Sequence, residues 1–215
     1  MKPRLYSYWR SSAAYRVRIA LGLKEIDYDI VPVSLHPDDS EQHSDDYTRK
    51  NPQQLVPFYE DENVSLAQST AILEYLEEQH TDISLLPRDP QLRGQVRAAC
   101  QHIACDVHPL NNLRVLVYLR QELGVDDGQF NAWYAHWIHT GFRALEQEAA
   151  GQGGPFMLGE YPSLVDCYLV PQLYNARRFK VPLDDFPTIV RIADHCNTLP
   201  AFDEARPEIQ PDFNE

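Results

Sequence analysis

Cysteine is scarce in this sequence, positive charge is outweighed, and no apolar run is long. Each shortage removes a class of explanation. The four cysteines (Cys100, Cys105, Cys167 and Cys196) form no CxxC pair and match no zinc spacing. They read as reduced, mostly buried thiols of a reducing compartment. Lysine and arginine total 19 against 32 aspartates and glutamates, a net charge of −13. Such a balance argues against a nucleic-acid binder and gives no long-range pull on an anion, so an anionic ligand needs a local cluster of arginines. No apolar run reaches membrane-spanning length. Arg4 and Arg10 bracket the one short apolar run near the start, with no cleavage site after it, which is not the pattern of a signal peptide. His136 and His139 are three apart but have no third ligand at useful spacing, so no metal site is expected. There is no internal repeat and no low-complexity segment. The expected protein is cytoplasmic, with neither a nucleic-acid nor a membrane partner.

With 215 residues, 43% of them apolar, the chain can bury one large core or two small ones. Its most informative stretch is Leu5-Tyr6-Ser7-Tyr8-Trp9-Arg10-Ser11-Ser12, followed at once by a helical pattern through Leu21. A strand of aromatic and apolar residues breaks at two serines, which places their hydroxyls and Arg10 at a helix start. A helix N-terminus carries unpaired N–H groups and partial positive charge, so it holds anions such as a thiolate or a carboxylate.

Strand and helix signals alternate over the first eighty residues. Leu5–Trp9 and Tyr28–Val33 read as strands around a helix over Tyr15–Leu23. Residues 36–51 read as a polar loop or frayed helix. Phe58–Glu60 and Val64–Ala67 flank a hairpin turn, and Ser69 is expected to cap a helix carrying Ile72, Leu73 and Leu76. This βαβ-ββα order predicts a small α/β domain over residues 1–83. The proline-containing stretch 82–90 reads as a linker. Long apolar stripes over Gln91–Val107, Leu113–Leu123 and Gln129–Ala150 predict an all-helical domain over 89–215. Within it, Ser163 and Asp166 open a helix that Pro171 is expected to kink. A proline at Val56-Pro57, before a strand, suggests a turn or a cis bond that would leave the Val56 N–H and C=O facing outward. Ser69 at a second helix start could hold a carboxylate.

The chain resembles the zeta class of soluble glutathione transferases, and within it the maleylacetoacetate isomerases, over nearly its whole length. The residues that carry the resemblance are Tyr8–Leu21, Asn51–Pro57, Gln68-Ser69, Asp106–Asn112, Asp166–Gln172 and Ala176–Phe179. It implies a thioredoxin-like first domain, a helical second domain, a homodimer, glutathione as cofactor and a small anionic maleyl substrate. It assigns Ser11, with Ser12 beside it, to the glutathione sulfur and Val56 to the cysteinyl backbone. Gln68 and Ser69 fall to the γ-glutamyl end, and Gln42 or His43 to the glycyl end. His108, Asn112 and Arg114 are assigned to glutathione from the helical domain. Arg10 and Arg178 are assigned to the substrate's carboxylates, with Arg10 also beside the chemistry, whereas Arg16 and Arg18 are expected to hold the first helix in place. The implied reaction is cis–trans isomerisation of maleylacetoacetate by reversible thiolate addition. Many members of the class have cysteine where this chain has Ala13, so only the glutathione sulfur is expected at the centre. Maleylpyruvate remains the rival substrate. A glutathione-conjugating transferase and a non-catalytic contact domain are the readings from other classes.

Overall fold

Residues 1–213 are described by a computed structural model, and they divide into two compact units. The first unit is built on alternation. β1 (Arg4–Ser7) and β2 (Asp29–Pro32) run parallel, with Leu5 opposite Ile30. β3 (Phe58–Glu60) is antiparallel to β1, and β4 (Ser65–Ala67) is antiparallel to β3, giving the order β2-β1-β3-β4. Period-2 geometry sends successive side chains to opposite faces. Leu5 and Tyr59 therefore pack with Val17, Leu21, Ile72 and Leu76, which come from α1 (Ser12–Leu23) and α3 (Ser69–Gln79). Tyr6, Tyr8 and Phe58 face the other way, onto Val33, Tyr47 and Val56. The predicted thioredoxin-like unit is thus present, with a mixed sheet.

Two local expectations are corrected. The 36–51 segment contains a regular helix, α2 (Asp45–Lys50), capped by Ser44, whose side chain accepts from the Tyr47 N–H. Ser69 is not the cap of α3. It is the first helical residue, and the cap position belongs to Gln68, whose φ of 72° lies in the left-handed region and whose side chain makes no capping bond.

The second unit, Leu86–Asn197, is helical throughout: α4 (Pro90–Gln101), α5 (Leu113–Gln121), α6 (Asp127–Gln152), α7 (Leu164–Arg178) and α8 (Pro187–Cys196). The stripe expected as one helix to Val107 changes winding at His102. A π-helical turn covers His102–Val107 and a 3₁₀ turn covers His108–Asn111. Gly141 of α6 lets this turn approach: a Cβ there would come within 2.2 Å of Val107 Cγ2. α7 is buried nearly all round and starts in the predicted Ser163/Asp166 capping box. Pro171 lies inside it without ending it.

The range 89–215 does not stay together as one domain. From Thr198 the chain belongs to the first unit, where α9 (Pro200–Asp203) packs on α1. Gly22 permits that contact, because an added Cβ would meet Ala201 Cβ at 3.2 Å. Of the cysteines, Cys100, Cys167 and Cys196 are buried and Cys105 is exposed, and none of the four is in a disulfide. No helix among the described residues is long and apolar enough to cross a membrane.

Candidate active site

Register gathers the first unit's candidate residues. Tyr6 pairs with Phe58, and Phe58 pairs with Ala67. The C-terminal end of β1, the N-terminal end of β3 and the C-terminal end of β4 therefore share one end of the sheet. Arg10–Ser12 follow β1, Val56-Pro57 precede β3, and Gln68-Ser69 follow β4. A helix starts after β1 and another after β4, so two N-termini lie at that end.

Ser11 is the N-cap of α1, with φ −71° and ψ 115°. Its Oγ accepts from the Ala14 N–H at 3.2 Å. With that oxygen used as an acceptor, the hydroxyl proton is left to donate, and a thiolate beside it would be stabilised by the hydroxyl and the helix dipole together. Ser12 is buried behind it and Ala13 brings no thiol to the first turn. The preceding Arg10 is half-buried, with its guanidinium over the Trp9 ring at 5.1 Å and the Tyr8 ring at 5.9 Å. Arg18, 1% exposed, donates to Trp9 O and Ser7 Oγ, both at 3.0 Å, and to Ala205 O at 3.0 Å. From the tail, the Asp212 carboxylate accepts from the Trp9 N–H at 2.9 Å, and Phe213 sets its ring edge-on to Trp9 at 5.0 Å. The turn carrying Arg10 and Ser11 is held from both sides. The part played by Asp212 has no sequence signal, since its partner is 203 positions away.

The Val56–Pro57 peptide is cis. No backbone hydrogen bond from the described residues reaches the Val56 N–H or C=O, so both are open to an extended peptide. The Gln68 side chain bonds that of Gln53, which lies in the Asn51–Pro57 stretch and had no role assigned to it. Ser69 is buried, and its Oγ accepts from Arg16 Nη1 at 3.2 Å. Gln42 lies in a 3₁₀ turn (Glu41–His43), its Oε1 buried without a hydrogen-bond partner among the described residues, while His43 Nδ1 is engaged with Gln54 Oε1 at 2.9 Å.

In the second unit, Asn112 caps α5 by accepting from the Arg114 N–H at 3.2 Å, and its Nδ2 lies 3.4 Å from His108 Nε2. His108 and Asn112 are half-buried and adjacent; Arg114 points its side chain into solvent. Arg178 lies at the end of α7. Its exposed guanidinium stacks over Phe179 at 4.5 Å and lines a cleft of about 420 Å³ with Asn131, Lys180 and Pro182. Beneath it, burial pushes the Tyr134 hydroxyl well above its ordinary pKa, against the opposing pull of Arg178. Tyr6 donates to Glu60 at 2.8 Å within an apolar cluster, in keeping with a packing role.

Comparison with known proteins places this geometry. Residues 1–78 match the family described as Glutathione S-transferase, N-terminal domain. A probable maleylacetoacetate isomerase of Vibrio cholerae serotype O1 is 48% identical over 208 residues, covering 97% of each chain. The holo structure of a bacterial zeta-class maleyl pyruvate isomerase is 44% identical with a TM-score of 0.94, covering 98% of this chain and all of that one. A maleylacetoacetate isomerase from Methylobacterium extorquens AM1, solved with malonate and glutathione (GSH) bound, is 36% identical with a TM-score of 0.92, covering 99% of this chain and 100% of that one.

Proposed function

The chain belongs to the zeta-class glutathione transferases, and we propose that it is a glutathione-dependent isomerase converting maleylacetoacetate to fumarylacetoacetate. The observation that carries this reading is the meeting of two helix N-termini and an open peptide edge at one end of the sheet. That donor set suits glutathione, a peptide with a thiol in its middle and a free carboxylate at each end. When bound, glutathione supplies the sulfur nucleophile of the isomerisation and is regenerated in each cycle.

The chain's own residues then have separable tasks. Ser11, with the first-turn amides and Ser12 behind it, holds the sulfur as a thiolate by donating its hydroxyl proton. The open Val56 N–H and C=O pair with the cysteinyl backbone. Gln68 and Ser69 hold the γ-glutamyl end, and Gln42, whose side-chain amide nitrogen can donate to a carboxylate, is the candidate for the glycyl end. His108, Asn112 and Arg114 enter on the resemblance alone. Arg10 and Arg178 take the substrate's carboxylates, for which a planar guanidinium fork is better shaped than an ammonium. Arg10, stacked and half-buried beside Ser11, also faces the negative charge that develops on the substrate. We further assign the protein to the cytoplasm as a homodimer. The exposed Leu113, Val117 and Tyr118 of α5 form an apolar face suited to burial in an assembly.

The test is direct: purified protein with glutathione and each maleyl substrate in turn, followed by absorbance. Turnover of maleylacetoacetate above that of maleylpyruvate supports the proposal. The reverse order would establish the second reading, maleylpyruvate isomerase, which the likeness to a solved enzyme of that name favours.

A further inference from the structure

Arg16 is 2% exposed on α1, and it reaches across to α3, where its Nη1 lies 3.2 Å from Ser69 Oγ. A guanidinium has donors only, so the Ser69 oxygen must be the acceptor in this contact. Among the described residues the Ser69 hydroxyl makes this hydrogen bond and no other. Its proton is therefore left over. The helix it opens is unusual as well. Gln68 occupies the cap position with φ 72° and offers no side-chain acceptor to the first N–H groups of α3. By contrast, Ser11 caps α1. One helix start thus combines uncapped amides, a hydroxyl proton without an acceptor and a buried cation behind it. All three call for the same thing, a carboxylate.

We propose that Arg16 is a positioning residue for glutathione: it fixes the Ser69 hydroxyl as a donor and so readies the start of α3 for the γ-glutamyl carboxylate. This rests on the reading of Ser69 given above. It goes beyond helix packing, because a packing role would serve equally well whichever way the hydroxyl pointed.

The experiment compares glutathione with 4-aminobutyryl-cysteinylglycine, which lacks only that carboxylate, by calorimetric binding to the native protein, Ser69→Ala, Arg16→Lys and Arg16→Met. The native protein should prefer glutathione by about tenfold or more. Ser69→Ala and Arg16→Met should each lose most of that preference, and the double variant should lose no more than either alone. In turnover, the Arg16→Met defect should appear in KM for glutathione rather than in kcat. Arg16→Lys, which keeps a charge and a donor, should recover part of the preference, and it carries the test if Arg16→Met does not fold. Full preference retained in either Arg16 variant would overturn the inference while leaving the Ser69 assignment standing. Equal binding of both peptides by the native protein would instead overturn the Ser69 assignment, and this inference with it.

Discussion

Ser11 performs two tasks through one hydroxyl, and they can be separated. Its oxygen caps α1, and its proton is the proposed donor to sulfur. Ser11→Ala should cost about 1 kcal/mol of stability through the lost cap, whereas Ser11→Gly should cost only a few tenths. Both variants should lose most isomerase turnover while still binding glutathione. Thermal unfolding alongside steady-state rates checks this; turnover that tracked stability would reduce Ser11 to a structural residue. The roles at this scale were legible in part. Arg10, Ser11 and Ser12 announce themselves because the strand-to-helix break is local. That Arg16 and Arg18 hold the first helix in place was legible too, though their burial was not. Their partners were not, because Ser69 and Ala205 lie 53 and 187 positions away and no local pattern encodes such a distance. Lys24 is similar. Its Nζ meets Glu77 Oε1 at 2.6 Å with both side chains almost fully buried, and it also donates to the carbonyls of His80 and Ile83. Lys24→Met should cost about 3–5 kcal/mol by stranding the Glu77 charge. Chemical denaturation measures it, and a loss under 1 kcal/mol would refute the account.

At the scale of elements, helix starts were the most legible feature and winding the least. Ser163 and Asp166 predict a capping box, and the structure has it. The Asp166 carboxylate accepts from the Met157 and Ser163 N–H groups at 2.9 and 2.8 Å and from Ser163 Oγ at 2.9 Å. Burial nevertheless pushes its pKa up against those bonds. Asp166→Ala should destabilise the second unit by roughly 3 kcal/mol, since it leaves buried donors without an acceptor. A melting temperature within a degree of the native value would contradict this. α2 reads from the sequence only as a polar loop or a frayed helix although its signals are present: Ser44 to cap it, Asp45 and Asp46 in its first turn, Arg49 and Lys50 in its last. Six residues with one buried side chain give too short a periodic stripe to stand out. The π turn before His108 was beyond reach, because apolar spacing does not distinguish winding over two turns. The hairpin between β3 and β4 was legible, and its pH dependence follows from Asp61. Burial opposes the charged form of Asp61. Hydrogen bonds from Asn63 N–H, Tyr75 O–H, Val64 N–H and Tyr59 O–H outweigh it and hold the carboxyl below its ordinary pKa. A lowered folded-state pKa contributes stability above the unfolded value of about 3.9, and that contribution is lost as pH falls through the folded value. Asp61→Asn should flatten the acid limb of a stability-against-pH curve, with little change in its shape above pH 6.

At the scale of the whole molecule, the sequence marks where the first unit gives way to helices, because prolines and polar residues fill the stretch before Pro90. It does not mark the return at Thr198. That tail is short and interrupted by proline, so nothing periodic ties it to α1, and only the folded chain shows Asp212 on the Trp9 N–H and Phe213 on the Trp9 ring. Its position has a consequence for the chemistry proposed at Ser11. Trp9 is clasped by Phe213 and Arg10, and Arg18 holds its carbonyl. Removing the tail therefore loosens the turn on which Arg10 and Ser11 stand, without touching either residue. Truncation after Gln210 should cost about 1–3 kcal/mol through the unsatisfied amide and the lost ring contact. It should also speed hydrogen exchange at the Trp9 amide and raise KM for the maleyl substrate more than KM for glutathione, because Arg10 is the anchor that stacks on Trp9. Asp212→Asn keeps an acceptor and should retain most of the native behaviour, whereas Asp212→Ala should approach the truncation. Native protection of the Trp9 amide in the truncated chain would show that the tail packs there without holding the turn.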